Sequence, residues 1–406
     1  MQEPVTSGGV RSGLTIIVAL LSMIGPFSID AYLPSFPDIE ADFGVGREIL
    51  SQSLGIYLIA FALSTLLWGP LSDRFGRRGV IIGSQVLYVL ASMGCALSGS
   101  ITAFLGFRAL QGFAASGGFI AGRAMIRDAH DERDAHRAMS QVTLVFAIAP
   151  AVAPVLGGWL HDYFGWRSVF WFLGLFSVLL SLMTIKINET LPPEHRQSLQ
   201  PRLVARVYLR TLQHRRFPLI TLSLGATFGG MFLYIAGAPT VIYDFLGLGV
   251  DDFGYQFIPM VAGLMLGAVL SGRLSHRWTA RRTVRLGFLV IVTGVLLNVL
   301  QVSFLQTSVL TTIGPLVIYA FGVALVMPAI TIMALDCFPH HRGTAASMQG
   351  FMQMIINAGV ASLVVPALHS QQYLFVVGQV MFACLAIMLW FLSLRRYLSV
   401  GDEAES

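Results

Sequence analysis

Long apolar runs, charge confined to the gaps between them, and a repeat at half the chain's length predict an all-α polytopic membrane protein. The expected architecture is twelve transmembrane helices in two pseudo-symmetric six-helix bundles. Of 406 residues, 55% are hydrophobic and only 12% are charged, too little charge to cover the surface of a water-soluble domain. A helix needs about 20 apolar residues to cross a bilayer. Residues 13–32 and 80–97 are such runs, and 172–185 is the apolar centre of another.

Taken in order, the runs predict spans at 13–35, 48–70, 79–98, 101–124, 138–160, 167–186, 217–240, 253–273, 284–303, 308–332, 343–366 and 372–394. The first is followed by no A-x-A cleavage site, so it is expected to stay as a transmembrane helix. The net charge of +5 comes from 25 arginines and one lysine, Lys186. With the N-terminus inside, 23 of the 26 basic residues fall on inner connections, the positive-inside pattern. Only Arg47 and Arg167 fall outside, and Arg108 lies within a span. Both termini are therefore expected in the cytoplasm. Charge placed in this way argues for a bilayer and against nucleic acid.

The longest connection, basic and carrying Pro192, Pro193 and Pro201, predicts a cytoplasmic linker at 188–216. It divides a six-helix bundle at 1–187 from a second bundle with a short tail at 217–406. The repeat supports this division. Gly69-Pro-Leu-Ser-Asp-Arg-Phe-Gly joins the second and third spans, and Gly272-Arg-Leu-Ser-His-Arg-Trp-Thr joins the eighth and ninth. Two parallel halves with a substrate site between them is one way secondary transporters are built. Cys95, Cys337 and Cys384 sit in separate apolar segments without metal-type spacing and read as core residues. His130, His136 and the pair His340-His341 read as solvated loop residues, and no metal or cofactor is expected. No Walker A sequence occurs, and no catalytic cluster of an enzyme is visible within the helices.

Two charges within the spans point to chemistry. An arginine in lipid costs several kcal/mol, so Arg108 needs a partner or a wet cavity. Asp30 is the only carboxylate similarly placed. Counting at 1.5 Å per residue puts Asp30 roughly 9 Å and Arg108 roughly 10 Å below the same outer surface, so a pair is expected, with Gln111 one turn from Arg108 able to bond either. A static pair fixing helix packing is one reading. A proton-coupled switch, in which burial and the arginine set the carboxylate's affinity, is the favoured one.

Gly69-Pro-Leu-Ser-Asp-Arg-Phe-Gly-Arg-Arg predicts a tight turn at its glycines, Gly69 and Gly76, and a latch through Asp73, which can pair with an arginine or cap a helix. Arg74, Arg77 and Arg78 complete it. This segment resembles the G-x-L-x-D-R-x-G-R-R signature of the major facilitator superfamily, and Arg108-Ala-Leu-Gln-Gly resembles that family's fourth-helix pattern. In the fifth span Pro150, Pro154, Gly157 and Gly158 resemble the G-P-x-x-G-G element of the superfamily's antiporters, with Ala153 in place of the leading glycine. Ser28-Ile-Asp-Ala-Tyr-Leu-Pro-Ser-Phe-Pro and Glu189-Thr-Leu-Pro-Pro-Glu are similar to the Bcr/CflA drug-resistance branch.

The resemblance implies the major facilitator fold and a monomer. It implies an inner-membrane protein that exports drug-like molecules, such as antibiotics of the bicyclomycin or chloramphenicol class, in exchange for protons. Asp30 would carry the proton. Cavity-lining positions in such relatives would correspond to Tyr32, Tyr57, Phe228, Met231, Tyr234, Gln353, Met354 and Asn357. The alternative on the same fold is a proton-coupled symporter or exporter of a small metabolite. In the second-half repeat His276 and Thr279 stand where the first has Asp73 and Gly76, so the two latches are expected to contribute unequally.

Overall fold

The computed structural model describes residues 7–196, 211–338 and 342–404, and every regular element among them is helical. The part of the expected linker at 197–210 lies outside the described residues, as do His340 and His341, and with them the side chain of His136. The chain divides into two compact units, Met1–Leu199 and Gln200–Ser406.

In the first unit the long helices are α1 (Ser7–Asp30), α3 (Arg47–Phe75), α4 (Arg77–Leu97), α5 (Ile101–Ala129), α6 (Glu132–Phe164) and α7 (Arg167–Ile185). A short α2 (Phe36–Phe43) follows a 3-10 turn at Leu33–Ser35. The first span was expected to be one helix to residue 35. Instead the α-helix stops at Asp30, because Pro34 lacks an N–H and restricts the residue before it, and Pro37 opens α2 in the same way. α5 packs against both α3 and α4, while α6 and α7 flank α1.

α2 accounts for the two arginines that the charge pattern left on outer connections. Its Glu40 accepts from Arg47 Nε at 2.6 Å, and its Asp42 pairs with Arg167 at 2.7 Å while accepting from the Trp166 indole at 3.2 Å. Asp38 lies 3.4 Å from His161. One amphipathic helix thus ties the ends of α3, α6 and α7 to its own.

The second unit holds α8 (Phe217–Ala236), α9 (Gly254–Ser275), α10 (Ala280–Phe304), α11 (Val309–Leu335), α12 (Arg342–Gly359), a short α13 (Val365–Leu368) and α14 (Gln372–Ala404). Wider π-turns follow α8 at Thr240–Phe245 and α12 at Val360–Val364. The start of α8 is held by His214, whose Nδ1 accepts from the N–H groups of Arg216 and Phe217 at 3.2 and 3.1 Å. Burial and the Arg216 charge push the imidazole below its ordinary value, which keeps this acceptor neutral.

Among the described residues, eleven helices are long and apolar enough to cross a membrane. The 29-residue α5 is not one of them, and it is the helix that carries Arg108 and Gln111.

Candidate functional site

The polar centre of the first unit is assembled from α1, α3, α4 and α5. Asp30, the last residue of α1, is 3% exposed, and its Oδ1 has no hydrogen-bond partner. Arg108 is fully buried on α5, with its guanidinium carbon 4.5 Å from the ring centre of Tyr32 and 4.6 Å from that of Tyr57. Its Nη1 donates to Gln111 Oε1 at 2.5 Å, and Gln111 Nε2 donates on to Ser92 Oγ at 2.9 Å. Nε and Nη2 of Arg108 have no acceptor.

The expected ion pair is therefore not formed: no N–O contact within 4.0 Å joins Asp30 and Arg108. Depth alone placed the charges on one level, but two tyrosine rings occupy the faces of the guanidinium. The cation is held by their π-electrons and by one amide instead. Tyr32, two residues after Asp30, lies against Arg108, so the two charges belong to one cluster. Around them, Ser28 Oγ lies 2.5 Å from Tyr88 OH, and Tyr32 OH lies 2.8 Å from Ser53 Oγ. The site thus brings together a cation, an acid and a set of buried hydroxyls.

Two glycines bring the surrounding backbones in. A Cβ on Gly112 would overlap the Tyr57 carbonyl, so only glycine lets α5 approach α3 beside Arg108. A Cβ on Gly157 would likewise overlap the carbonyl of Ala31, the residue after Asp30. α6 runs through Pro150 and Pro154 as one helix, with Gly157 and Gly158 both buried. The 150–158 segment therefore rests on the end of α1 at Asp30.

The Gly69–Arg78 segment folds differently from its expected shape. Gly69 and Asp73 are still inside α3, and nothing lies near Gly69 that a Cβ would meet. The turn is made by Gly76 alone, at φ +94°, a conformation that favours glycine. Arg77 then pairs with Asp73 at 2.5 Å and with Asp128, at the end of α5, at 2.9 Å. It also donates to Ser72 Oγ at 2.7 Å. Arg74 lies over the Phe75 ring, and Arg78 donates to the Ile185 carbonyl at 2.5 Å.

The free N–H groups at the start of α4 are taken by Glu189. Its carboxylate accepts from the backbone of Arg77 and Arg78 at 2.9 and 3.1 Å, and from Thr190 and Leu191 at 2.9 and 3.1 Å. In the second-half copy the corresponding helix α10 is capped by its own Thr279, which accepts from Arg282 N at 3.4 Å.

The cavity candidates separate by burial. Tyr32 and Tyr57 are fully buried against Arg108. In the second unit Tyr234 is also buried: its OH accepts from Asn298 Nδ2 at 2.8 Å and its carbonyl accepts from Gln256 Nε2 at 2.7 Å. Asn298 donates as well to Gln379 Oε1 at 2.8 Å, completing a neutral network. Met231 is buried as well, and Asn357 is buried with an unpartnered Oδ1. Phe228, Gln353 and Met354 are half-buried, Phe228 stacking on Phe232.

Sequence reading missed Tyr88, Ser92, Asp128, Asn298 and Gln379. Tyr88, Ser92 and Cys95 do follow helical spacing on one face of α4, which was the available signal.

A sequence model described as the Major Facilitator Superfamily matches residues 18–362. A bicyclomycin resistance protein homolog of Haemophilus influenzae is 28% identical, over 86% of this chain and 88% of its own. A chloramphenicol resistance protein of Pseudomonas aeruginosa is 30% identical, over 88% of this chain and 85% of its own. Among solved structures, a D-xylose–proton symporter superposes with a TM-score of 0.75 at 15% identity, covering 94% of this chain and 98% of that one. That likeness concerns the fold.

Proposed function

The chain belongs to the major facilitator superfamily, and from that premise we propose that it exports small drug-like molecules across the bacterial inner membrane in exchange for protons. Proteins of this superfamily are transporters rather than enzymes, and the relatives named above are resistance proteins. The observation that carries the proton assignment is the buried cluster. It holds one permanent cation, Arg108, and one acid, Asp30, with an unpartnered oxygen. Protonation of Asp30 changes the cluster's net charge by one unit with no solvent to screen it. A substrate and a proton that compete for this cluster are thereby coupled.

In this reading α5 is the twelfth span, its low hydropathy being the cost of Arg108 and Gln111. The two units are six-helix bundles, 1–187 and 217–406, joined by a cytoplasmic linker at 188–216. Both termini are cytoplasmic and the chain works as a monomer by alternating access. Gly157, seated on Ala31, passes a change at Asp30 to α6. Asp73, Arg77 and Asp128 form the latch at the cytoplasmic end, and Phe228, Gln353 and Met354 offer the second unit's adaptable surface to substrate.

The test is proton flux in energised inverted vesicles as bicyclomycin or chloramphenicol is added, comparing the wild type with Asp30→Asn. Substrate-induced proton release from the lumen is expected in the wild type and absent in the variant. Release that persists in Asp30→Asn removes Asp30 from the carrier role. Substrate moving with protons rather than against them would instead identify a metabolite symporter.

A further inference from the structure

A second arginine of α5 stands without a counter-charge. Arg123 is half-buried, its Nε is buried without an acceptor, and no carboxylate among the described residues lies within ion-pair distance. Its guanidinium carbon lies 3.9 Å from the ring centre of Phe119, one turn before it. Phe119 meets Phe61 of α3 edge-on at 6.0 Å and Phe146 of α6 at 6.2 Å. Phe119 and Phe146 are themselves half-buried, so this aromatic group is open on one side.

We infer that Arg123, with Phe61, Phe119 and Phe146, forms a binding site for a planar aromatic oxyanion such as an aromatic carboxylate. A guanidinium fork suits two coplanar oxygens, and aromatic rings bind another ring at their edges and faces. A half-buried cation that lies over a ring face, with no carboxylate within ion-pair distance among the described residues, lacks what such an anion supplies. The site is distinct from the Asp30 cluster: fifteen residues of α5 separate Arg108 from Arg123, about 22 Å at 1.5 Å per residue. Aromatic side chains nonetheless link the two, since Phe61 is 6.2 Å from Tyr57, which faces Arg108. Resting on the efflux reading, the Arg123 end would be where a cytoplasmic substrate is first held.

The experiment measures equilibrium binding of radiolabelled 4-nitrobenzoate and of the neutral 4-nitrobenzamide to the full chain in phosphatidylcholine nanodiscs, which offer no anionic headgroup. The wild type is expected to favour the benzoate by about tenfold or more, the scale of one charge-assisted contact. Arg123→Gln should remove the preference, Arg123→Lys should keep part of it, and Phe119→Leu should weaken both probes. A preference unchanged in Arg123→Gln, or no saturable benzoate binding to the wild type, overturns the site. The transport reading is tested separately, by the proton-flux comparison of the wild type with Asp30→Asn, so the failure of either can be told from the failure of the other. Proton-coupled export without benzoate binding would leave the transport reading intact and remove this site alone.

Discussion

Arg108 is fully buried, held where water does not reach. Two tyrosine rings at 4.5 and 4.6 Å and one amide oxygen at 2.5 Å are its stabilising neighbours. A cation–π contact strengthens when desolvated, to about 2 kcal/mol or more. The planar guanidinium is what lets one side chain address both rings and Gln111 together. Lysine keeps the charge but loses that plane. Arg108→Lys is therefore expected to lower the maximal export rate by about tenfold or more, the equivalent of about 1.4 kcal/mol, while the protein still folds. Export assays on vesicles of matched protein content and melting curves would read this directly. An unchanged rate would mean that charge alone suffices and that the rings are bystanders. The sequence made Arg108, Asp30 and Gln111 conspicuous because polar groups stand out in apolar runs. It could not identify the arginine's real partners, since Tyr32 and Tyr57 read there as cavity-lining positions and not as neighbours of the cation.

Helix ends organise the first unit as much as helix faces do. α4 begins directly after Gly76 without a side-chain cap from its own N-cap residue. Glu189 supplies the acceptors from 112 residues away, and its negative charge suits the positive end of the helix dipole. The same carboxylate orders Thr190 and Leu191, so the exit of α7 and the entry of α4 are held by one group. Arg77, the first residue of α4, is thereby aimed at Asp73 and Asp128. Glu189→Ala is expected to cost about 1 kcal/mol, the usual value of a lost cap, and to accelerate amide exchange at Arg77 and Arg78. Glu189→Gln should recover part of the protection. Unchanged exchange in Glu189→Ala would show that α4 holds its start without the cap. The segment around Glu189 was conspicuous as a motif, but a cap across so many residues leaves no local pattern to read. Local chemistry did show the break after Asp30 in part, through Pro34 and Pro37, although apolar run length alone favoured an unbroken helix. α5 is the converse case: the run at 101–124 reads as a span, yet the 29-residue helix is not among the eleven apolar enough to cross a membrane.

At the scale of the molecule, the half-chain repeat announces two related units, yet their polar interiors differ in kind. The first buries Asp30 and Arg108. The second buries Asn298, Gln379, Gln256 and Tyr234, all neutral and joined by hydrogen bonds of 2.7 to 2.8 Å. Repeat spacing cannot reveal this difference, because it records where turns fall and not what each interior contains. A neutral network holds its helices together without responding to a single proton, whereas an acid beside a fixed cation responds strongly. Removing one member of the neutral network strands its partner in an apolar interior, at about 1–3 kcal/mol. Asn298→Ala, which strips Tyr234 and Gln379 of their donor, is thus expected to lower the melting temperature while substrate-induced proton release survives in the protein that remains folded. Asp30→Asn should do the reverse, leaving the melting temperature near that of the wild type and abolishing release. Paired melting and proton-flux measurements on these two variants decide the matter. If Asn298→Ala abolished proton release without loss of stability, the second unit would have to be counted part of the proton pathway, and coupling could no longer be assigned to the first unit alone.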